Sequence, residues 1–285
     1  MNKPKIIITG ANGYLGNYFL NYFNKLGWQI KAFTHNTPIN AIKDVEYINY
    51  SLSENLNAND FKNVNYVIHS AYVRYDKNKN ADKINFEGTK KLVDLCDVLA
   101  IPMIYLSSFS AHEQAVSHYG TSKIQCEKLF NLSKHAVLKI GFIIGKGGIL
   151  GEMINRINTS KFFPLVGENK PLQSVYIDDL CIVLKEIIEN TISGLFYVAH
   201  EKVVTMRRFY EDLAFKLDKK ITFIPIPVNL LFLGCKFFET VGVQLPVSSE
   251  SVLGLKKMRS FKTLKSQAKL KKKFIDYKTA LDKVL

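Results

Sequence analysis

The eight residues Thr9-Gly10-Ala11-Asn12-Gly13-Tyr14-Leu15-Gly16 constrain this chain more than any other stretch. A short β-branched run, Lys5 to Thr9, precedes them and reads as a buried strand. After them Tyr14, Leu15, Tyr18, Phe19, Tyr22, Phe23 and Leu26 recur at helical spacing as far as Gly27. Strand, glycine turn and helix therefore follow in order, which is the context that gives such glycines meaning. Gly10 permits the tight turn, Gly13 lets a backbone approach a pyrophosphate, and Gly16 lets the helix pack closely on the strand. The helix N-terminus then offers unpaired N–H groups and a positive dipole end to the anion, with Asn12, Tyr14 and Leu15 at the same loop.

The same alternation continues. Trp28 to Thr34, Val45 to Asn49, Tyr66 to His69, Pro102 to Ser107 and His135 to Ile140 read as strands. Ala81 to Leu99 and Tyr119 to about Ser133 read as helices between them, the first with Ile84, Leu92, Val93, Leu95 and Cys96 inward. Such alternation predicts an α/β fold with a doubly wound parallel sheet, Rossmann-type, and a small C-terminal α/β lobe. In such a sheet ligands sit at the carboxyl ends of strands. Thr34 and the group His69, Ser70 and Ala71 stand at such ends, although His69 reads more readily as a satisfied strand-end histidine than as a ligand. Residues 1–145 form the expected dinucleotide-binding core, with 174–200 returning to it. Residues 146–173 and 201–285 form the expected substrate lobe and basic C-terminal tail. Five glycines between Gly141 and Gly151 predict a loop, with a helix beginning near Met153. Phe162 to Gly167 reads as a loop. Ser174 to Ile177 reads as a strand, and Asp178-Asp179 as a cap on the helix after it. Leu195 to Val198 reads as a strand, Met206 to Leu217 as a helix and Ile221 to Pro227 as an extended piece. The apolar stretch 228–254 is expected by default to pack on the lobe, with lining a substrate mouth or touching a membrane as its other uses.

The second strand ends in Phe33-Thr34-His35-Asn36, with no carboxylate. An acid there would hold a ribose 2′-hydroxyl and repel a 2′-phosphate, so its absence favours NADP over NAD. Lys31 or His35 would assist.

Tyr119 and Lys123 stand four apart in Tyr-Gly-Thr-Ser-Lys, so on a helix they share a face. An ammonium beside a phenol favours the phenolate and is expected to lower the tyrosine pKa from about 10. A tyrosine tuned this way exchanges a proton with a substrate oxygen. Ser107 and Ser108 end the fifth strand.

Net charge is +14, but from Lys256 to Leu285 the chain carries 11 Lys/Arg against 2 Asp/Glu. The body is therefore only weakly basic, and no nucleic-acid partner is expected. The basic tail reads as a solvated surface, with weak contact to an anionic membrane as its other use. The four cysteines are far apart in sequence and read as reduced, buried thiols, which predicts neither a disulfide frame nor a metal site. No signal-like segment opens the chain and no apolar run is long enough to span a bilayer, so a cytoplasmic location is expected.

With these motifs assembled, the chain resembles the extended branch of the short-chain dehydrogenases/reductases, the NAD(P)-dependent nucleotide-sugar epimerase/dehydratase/reductase family. The resemblance rests on the glycine loop, Asn85-Phe86-Glu87-Gly88-Thr89, Ser107-Ser108, Tyr119 with Lys123, and Val175-Tyr176-Ile177-Asp178-Asp179-Leu180. It implies Ser108, Tyr119 and Lys123 as catalytic residues. It implies NADP or NAD bound by Gly10, Asn12, Gly13, Tyr14, Leu15, Gly16, Thr34, His69, Ser70, Ala71, Asn85, Tyr119 and Lys123. A nucleotide-sugar substrate is implied, as is a homodimer pairing helices 81–99 and 119–133. Two departures, with a chain short for that family and so a small substrate lobe, narrow the reaction, and a third concerns the cofactor. Phe109-Ser110 stand where 4,6-dehydratases carry Asp-Glu. Lys139-Ile140-Gly141-Phe142 replaces Arg-x-x-Asn, a contact to the substrate diphosphate. No acid follows the third strand, at Asn49-Tyr50-Ser51-Leu52, to hold adenine. The first two departures and the short chain favour a reductase of 4-keto nucleotide-activated deoxysugars. A nucleotide-sugar epimerase with tightly bound NAD is the alternative, and a non-catalytic cofactor sensor or assembly factor the second alternative.

Overall fold

The computed structural model describes residues 3–36, 41–243 and 247–285. The chain runs β1 (Lys5–Thr9), α1 (Tyr14–Lys25), β2 (Gln29–Thr34), β3 (Val45–Asn49), β4 (Tyr66–His69), α2 (Ala81–Val98), β5 (Met103–Ser108), α3 (His118–Glu127) and β6 (Ala136–Ile140). It continues with β7 (Phe142–Ile144), α4 (Gly148–Thr159), β8 (Phe162–Val166), β9 (Pro171–Leu172), β10 (Ser174–Tyr176), α5 (Ile177–Glu189) and β11 (Gly194–Val198). The last part is β12 (Val204–Thr205), α6 (Met206–Lys216), β13 (Thr222–Ile226), α7 (Val228–Thr240), α8 (Ser249–Lys256), α9 (Leu264–Lys269) and α10 (Tyr277–Val284).

Seven strands form one parallel sheet in the order β11-β6-β5-β4-β1-β2-β3. Ile6, Ile7 and Ile8 are fully buried, as a central parallel strand covered on both faces requires. The register is continuous at the middle, with Thr9 opposite both His69 and Phe33. Strand order turns back between β1 and β4, so the crevice outside Thr9 and His69 is the switch point where such sheets take ligands.

Two compact units emerge. The first comprises 1–107, 122–139 and 181–196. Its core joins Ile7, Phe33, Val67, Leu92, Met103 and Val137. The second comprises 108–121, 140–180 and 197–285. Its core gathers Ile144, Leu150, Phe163, Phe209, Tyr277 and Leu281, so the last helix is built into it.

Several local expectations are corrected. The helix of Tyr119 stops at Glu127 and not near Ser133, because Leu129 and Phe130 bond back three residues, to Cys126 and Glu127, and the turn of Asn131 follows. The glycine stretch holds β7, and α4 begins at Gly148. Gly147, at φ 101, makes the sharp entry, and Leu150, Met153 and Ile157 supply the buried stripe. Phe162 to Val166 is a strand paired with β13 in a separate two-stranded sheet, where Pro164 is tolerated and faces out. The basic C-terminal stretch is no tail. Tyr277, Ala280, Leu281 and Val284 are buried, and Lys272 and Lys278 pair with Asp179 and Asp212. Nor does α7 pack as expected, since Cys235 alone of its residues is buried.

Candidate active site

In the first unit, the turn after β1 carries Gly10 at φ +66, where a Cβ would lie 2.8 Å from the Ala71 backbone. A side chain is therefore excluded twice, by conformation and by space. Gly13 donates its N–H to the Gly10 carbonyl at 2.9 Å and accepts from Asn17 at 2.9 Å, opening α1. No side chain caps that helix and its first turn has no acid. Its leading N–H groups, those of Tyr14, Leu15 and Gly16, suit an anion. Asn12 donates to the Asn36 carbonyl at 2.5 Å, tying the loop to the turn after β2. Just before that turn, Thr34 is buried and its Oγ1 has no hydrogen-bond partner among the described residues. A polar ligand at the end of β2 would satisfy it. Lys31 cannot serve there, because it is buried mid-strand and paired with Glu46 at 3.1 Å. His35 is exposed. A glycine cradle, an uncapped helix and an orphaned hydroxyl together fit a dinucleotide.

The end of β4 is held by a buried relay. His69 Nδ1 meets Thr9 Oγ1 at 2.7 Å and Nε2 meets Thr89 Oγ1 at 3.1 Å. Burial, helped by the nearby Lys123 charge, lowers the His69 pKa to about 3, so the ring is neutral. Ser70 Oγ donates to the Thr9 carbonyl at 2.5 Å, and the Ala71 N–H to Thr9 Oγ1 at 3.2 Å. Asn85 accepts from the Val73 N–H and donates to its carbonyl, both at 2.8 Å. Every member of Asn-x-x-Gly-Thr thus has a local task, for Gly88 lies so close to β3's outgoing turn that a Cβ on it would stand 2.4 Å from the Leu52 carbonyl oxygen. To touch a cofactor directly, His69 and Asn85 would have to surrender these bonds.

Lys123 is 4% exposed and its Nζ donates to the Leu106 carbonyl at 2.7 Å. The ammonium also stands 4.7 Å from the Tyr105 ring centre and 5.0 Å from that of Tyr72. Burial lowers its pKa to about 8, with Cys126 and Glu127 pulling the other way. Glu127 accepts from Ser107 Oγ and pairs with Lys139 at 2.9 Å. Lys139 is therefore spent inside this unit. The aromatic pair Tyr72 and Tyr105, and Glu127, escaped the sequence reading. Glu127 had a usable signal, lying four residues beyond Lys123 on one helical face.

In the second unit, Ser108 accepts from the Ser110 N–H at 3.1 Å and is hydrogen-bonded to the Tyr119 side chain. The Tyr119 N–H donates to Glu250 at 3.1 Å. Tyr119 corrects the electrostatic expectation. Its pKa is raised, chiefly by burial, and the Ser108 bond only partly offsets this. Solvent moderates the rise, since 38% of the residue is exposed. The lowering expected from Lys123 does not occur, that ammonium being engaged with Leu106 and two rings. Nor do Asp178-Asp179 precede their helix as a cap. They lie in its first turn, and Asp179 is buried against Lys272 at 2.7 Å and the Ile275 N–H at 2.9 Å.

Residues 6–195 match the NAD dependent epimerase/dehydratase family. A comparison with curated proteins returned no match. Among solved structures, MoeE5 in complex with UDP-glucuronic acid and NAD aligns at TM-score 0.77 and 15% identity, over 98% of this chain and 97% of that one. WbmG from Bordetella bronchiseptica, in complex with NAD and UDP, aligns at TM-score 0.76 and 13% identity, over 98% and 93%. UDP-N-acetylglucosamine 4-epimerase from Bacillus cereus aligns at TM-score 0.71 and 16% identity, over 99% and 95%. At such identities the likeness establishes the shared fold.

Proposed function

The chain belongs to the NAD dependent epimerase/dehydratase family, the extended short-chain dehydrogenases/reductases, and on that premise we propose that it reduces a 4-keto nucleotide-activated deoxysugar. The observation that carries this reading is the Tyr119 phenol, hydrogen-bonded to Ser108 and with its pKa raised. At neutral pH that phenol keeps its proton, the form needed to donate to a carbonyl oxygen as reduction begins. The same phenol, once deprotonated, would serve the oxidation that opens an epimerase's cycle. Ser108 donates to the same carbonyl and orients it, so no bare alkoxide forms. Lys123, in the first unit, holds its charge below a pH of about 8, and by the family resemblance would meet the hydroxyls of the nicotinamide ribose. A bound nicotinamide dinucleotide supplies the hydride. Gly10, Gly13 and the first amides of α1 hold its diphosphate, and Thr34 its adenosine ribose. Asn12, Ser70 and Ala71 border that cleft, while His69 and Asn85 fix its shape. With Thr34-His35-Asn36 ending β2, NADPH binds at least as tightly as NADH.

Two further features support reduction. Phe109-Ser110 offer no acid to drive loss of water. Lys139, at the position of the family arginine, is tied to Glu127 and leaves the substrate diphosphate to other residues, in 146–173 and 201–285. Epimerisation is the runner-up, since the family takes its name partly from that reaction. The test incubates the protein with a panel of 4-keto nucleotide sugars and both reduced cofactors. A reductase consumes one reduced nicotinamide per sugar, seen as falling absorbance at its band. Interconversion of two hydroxy sugars without net cofactor change would replace this reading by the epimerase.

A further inference from the structure

The surface of α7 is built unlike the rest of the second unit. Leu230 and Leu233 are each 64% exposed, Phe237 is 63% exposed and Val241, just past the helix, 57%. These positions fall at i, i+3, i+7 and i+11, a single stripe along the helix. Phe238 widens it, at 39% exposure. Exposed apolar surface this continuous marks an interaction site. What covers it is indicated by the charges around it. Lys236 is exposed at the edge of the stripe. Lys256, at the end of α8, sets its Nζ 5.9 Å from the Phe232 ring, and exposed Lys257 follows. Lys170 donates to the Lys256 carbonyl at 2.8 Å, bringing a further cation to the rim. The acids of these two helices are each tied to a neighbouring group of the protein, although Glu239 stays exposed. Glu239 binds the N–H and hydroxyl of Ser249, both at 2.7 Å, and Glu250 takes the Tyr119 N–H. The rim is therefore cationic around an apolar centre. A second copy of the same face would set lysine against lysine, which disfavours self-pairing.

We propose that α7 is an interfacial helix that docks on an anionic lipid bilayer. Its Leu230, Leu233 and Phe237 side chains enter the acyl boundary, and Lys236, Lys256 and Lys257 meet the headgroup phosphates. The contact is peripheral, since α7 has 13 residues and no helix among the described residues is long and apolar enough to cross a membrane. This centres the membrane contact on the segment 228–257, with only the first two lysines of the C-terminal basic stretch taking part, while Lys272 and Lys278 pair with Asp179 and Asp212.

The test is flotation of the full-length protein with vesicles of phosphatidylcholine alone or mixed with phosphatidylglycerol. The expected result is binding to the anionic vesicles, weakened by salt and slight with neutral ones. Leu233→Glu and Phe237→Glu should each reduce binding by about tenfold or more, with the melting curve unchanged because both side chains face solvent. Phe237→Trp should keep binding and shift its emission to the blue with anionic vesicles, which keeps the proposal testable if a glutamate variant misfolds. Full binding by folded Phe237→Glu, or none by the unaltered protein, overturns the proposal. So does a dimer that Phe237→Glu dissociates in the absence of any vesicle binding.

Discussion

Two glycines three residues apart should respond to the same substitution in opposite ways. A Cβ on Gly16 would lie 2.2 Å from the Gly10 carbonyl oxygen and 2.8 Å from the Ala11 Cα. Real Cβ contacts essentially never fall below 3.0 Å, so α1 and the loop must part by roughly 0.8 Å. Both groups that clash are backbone, and no side chain can swing away. Overpacking costs about 1–3 kcal/mol, and a backbone clash belongs at the upper end. At about 2–4 °C per kcal/mol, Gly16→Ala should lower Tm by roughly 6–12 °C. Gly13 differs. Its φ of −72 and ψ of 165 suit alanine, and its Cβ would meet only the Gly10 oxygen, at 3.1 Å. Stability should therefore change by no more than about 1 kcal/mol. A methyl there would nevertheless stand where a diphosphate must approach the loop, and dinucleotide binding should weaken by about tenfold or more. Thermal unfolding by circular dichroism gives the first quantity. Quenching of Trp28, the only tryptophan, gives the second. Gly13→Ala binding cofactor like the unaltered protein would take the diphosphate away from this loop. An unchanged Tm in Gly16→Ala would refute the close packing.

Tyr119→Phe should lower turnover by about 10²-fold or more while leaving cofactor affinity nearly unchanged, and near-normal turnover would remove Tyr119 from the mechanism. Turnover should also decline as pH rises through about 8, where Lys123 sheds its proton. An unfolded lysine keeps its proton to about 10.5, so between those values the unfolded chain binds more protons and burial of Lys123 costs less as pH rises. Urea midpoints should therefore climb across that window and lose part of the climb in Lys123→Met. Lys272→Met leaves the Asp179 carboxylate buried without its cation and should cost about 3 kcal/mol, read from the same urea curves. An unchanged midpoint would show that the Ile275 N–H alone satisfies Asp179.

What the sequence made legible was local. Lys5 to Gly16 announces strand, turn and helix within a dozen residues, and each glycine meets the steric demand that its spacing suggests. The sheet followed because repeated strand–helix alternation leaves few other ways to bury both faces. Ser108 and Tyr119 do meet through a hydrogen bond. The failures were those of distance. β8 finds β13 across nearly sixty residues, so Phe162 to Val166 carried no pairing signal of its own. Asp179 depends on Lys272, whose place in a lysine-rich run made it look solvated. Direction failed too. Sequence spacing put Lys123 on the face of Tyr119, but could not show its ammonium turned to the Leu106 carbonyl. Composition marked α7 as apolar and left its use open, and only the fold shows Leu230, Leu233 and Phe237 exposed.

The clamp between Asp179 and the far end of the chain also sets a schedule for synthesis. Asp179 emerges from the ribosome long before Lys272 and Ile275, which complete its bonds. Tyr277, Leu281 and Val284, which close the second unit's core, are made last of all. The first unit has its last segment by Phe196, while a nascent second unit waits with an unpaired carboxylate and an open apolar core. Messages cut short near residue 270 would therefore yield a finished first unit carrying an unfinished second, a species for chaperones and proteases to clear.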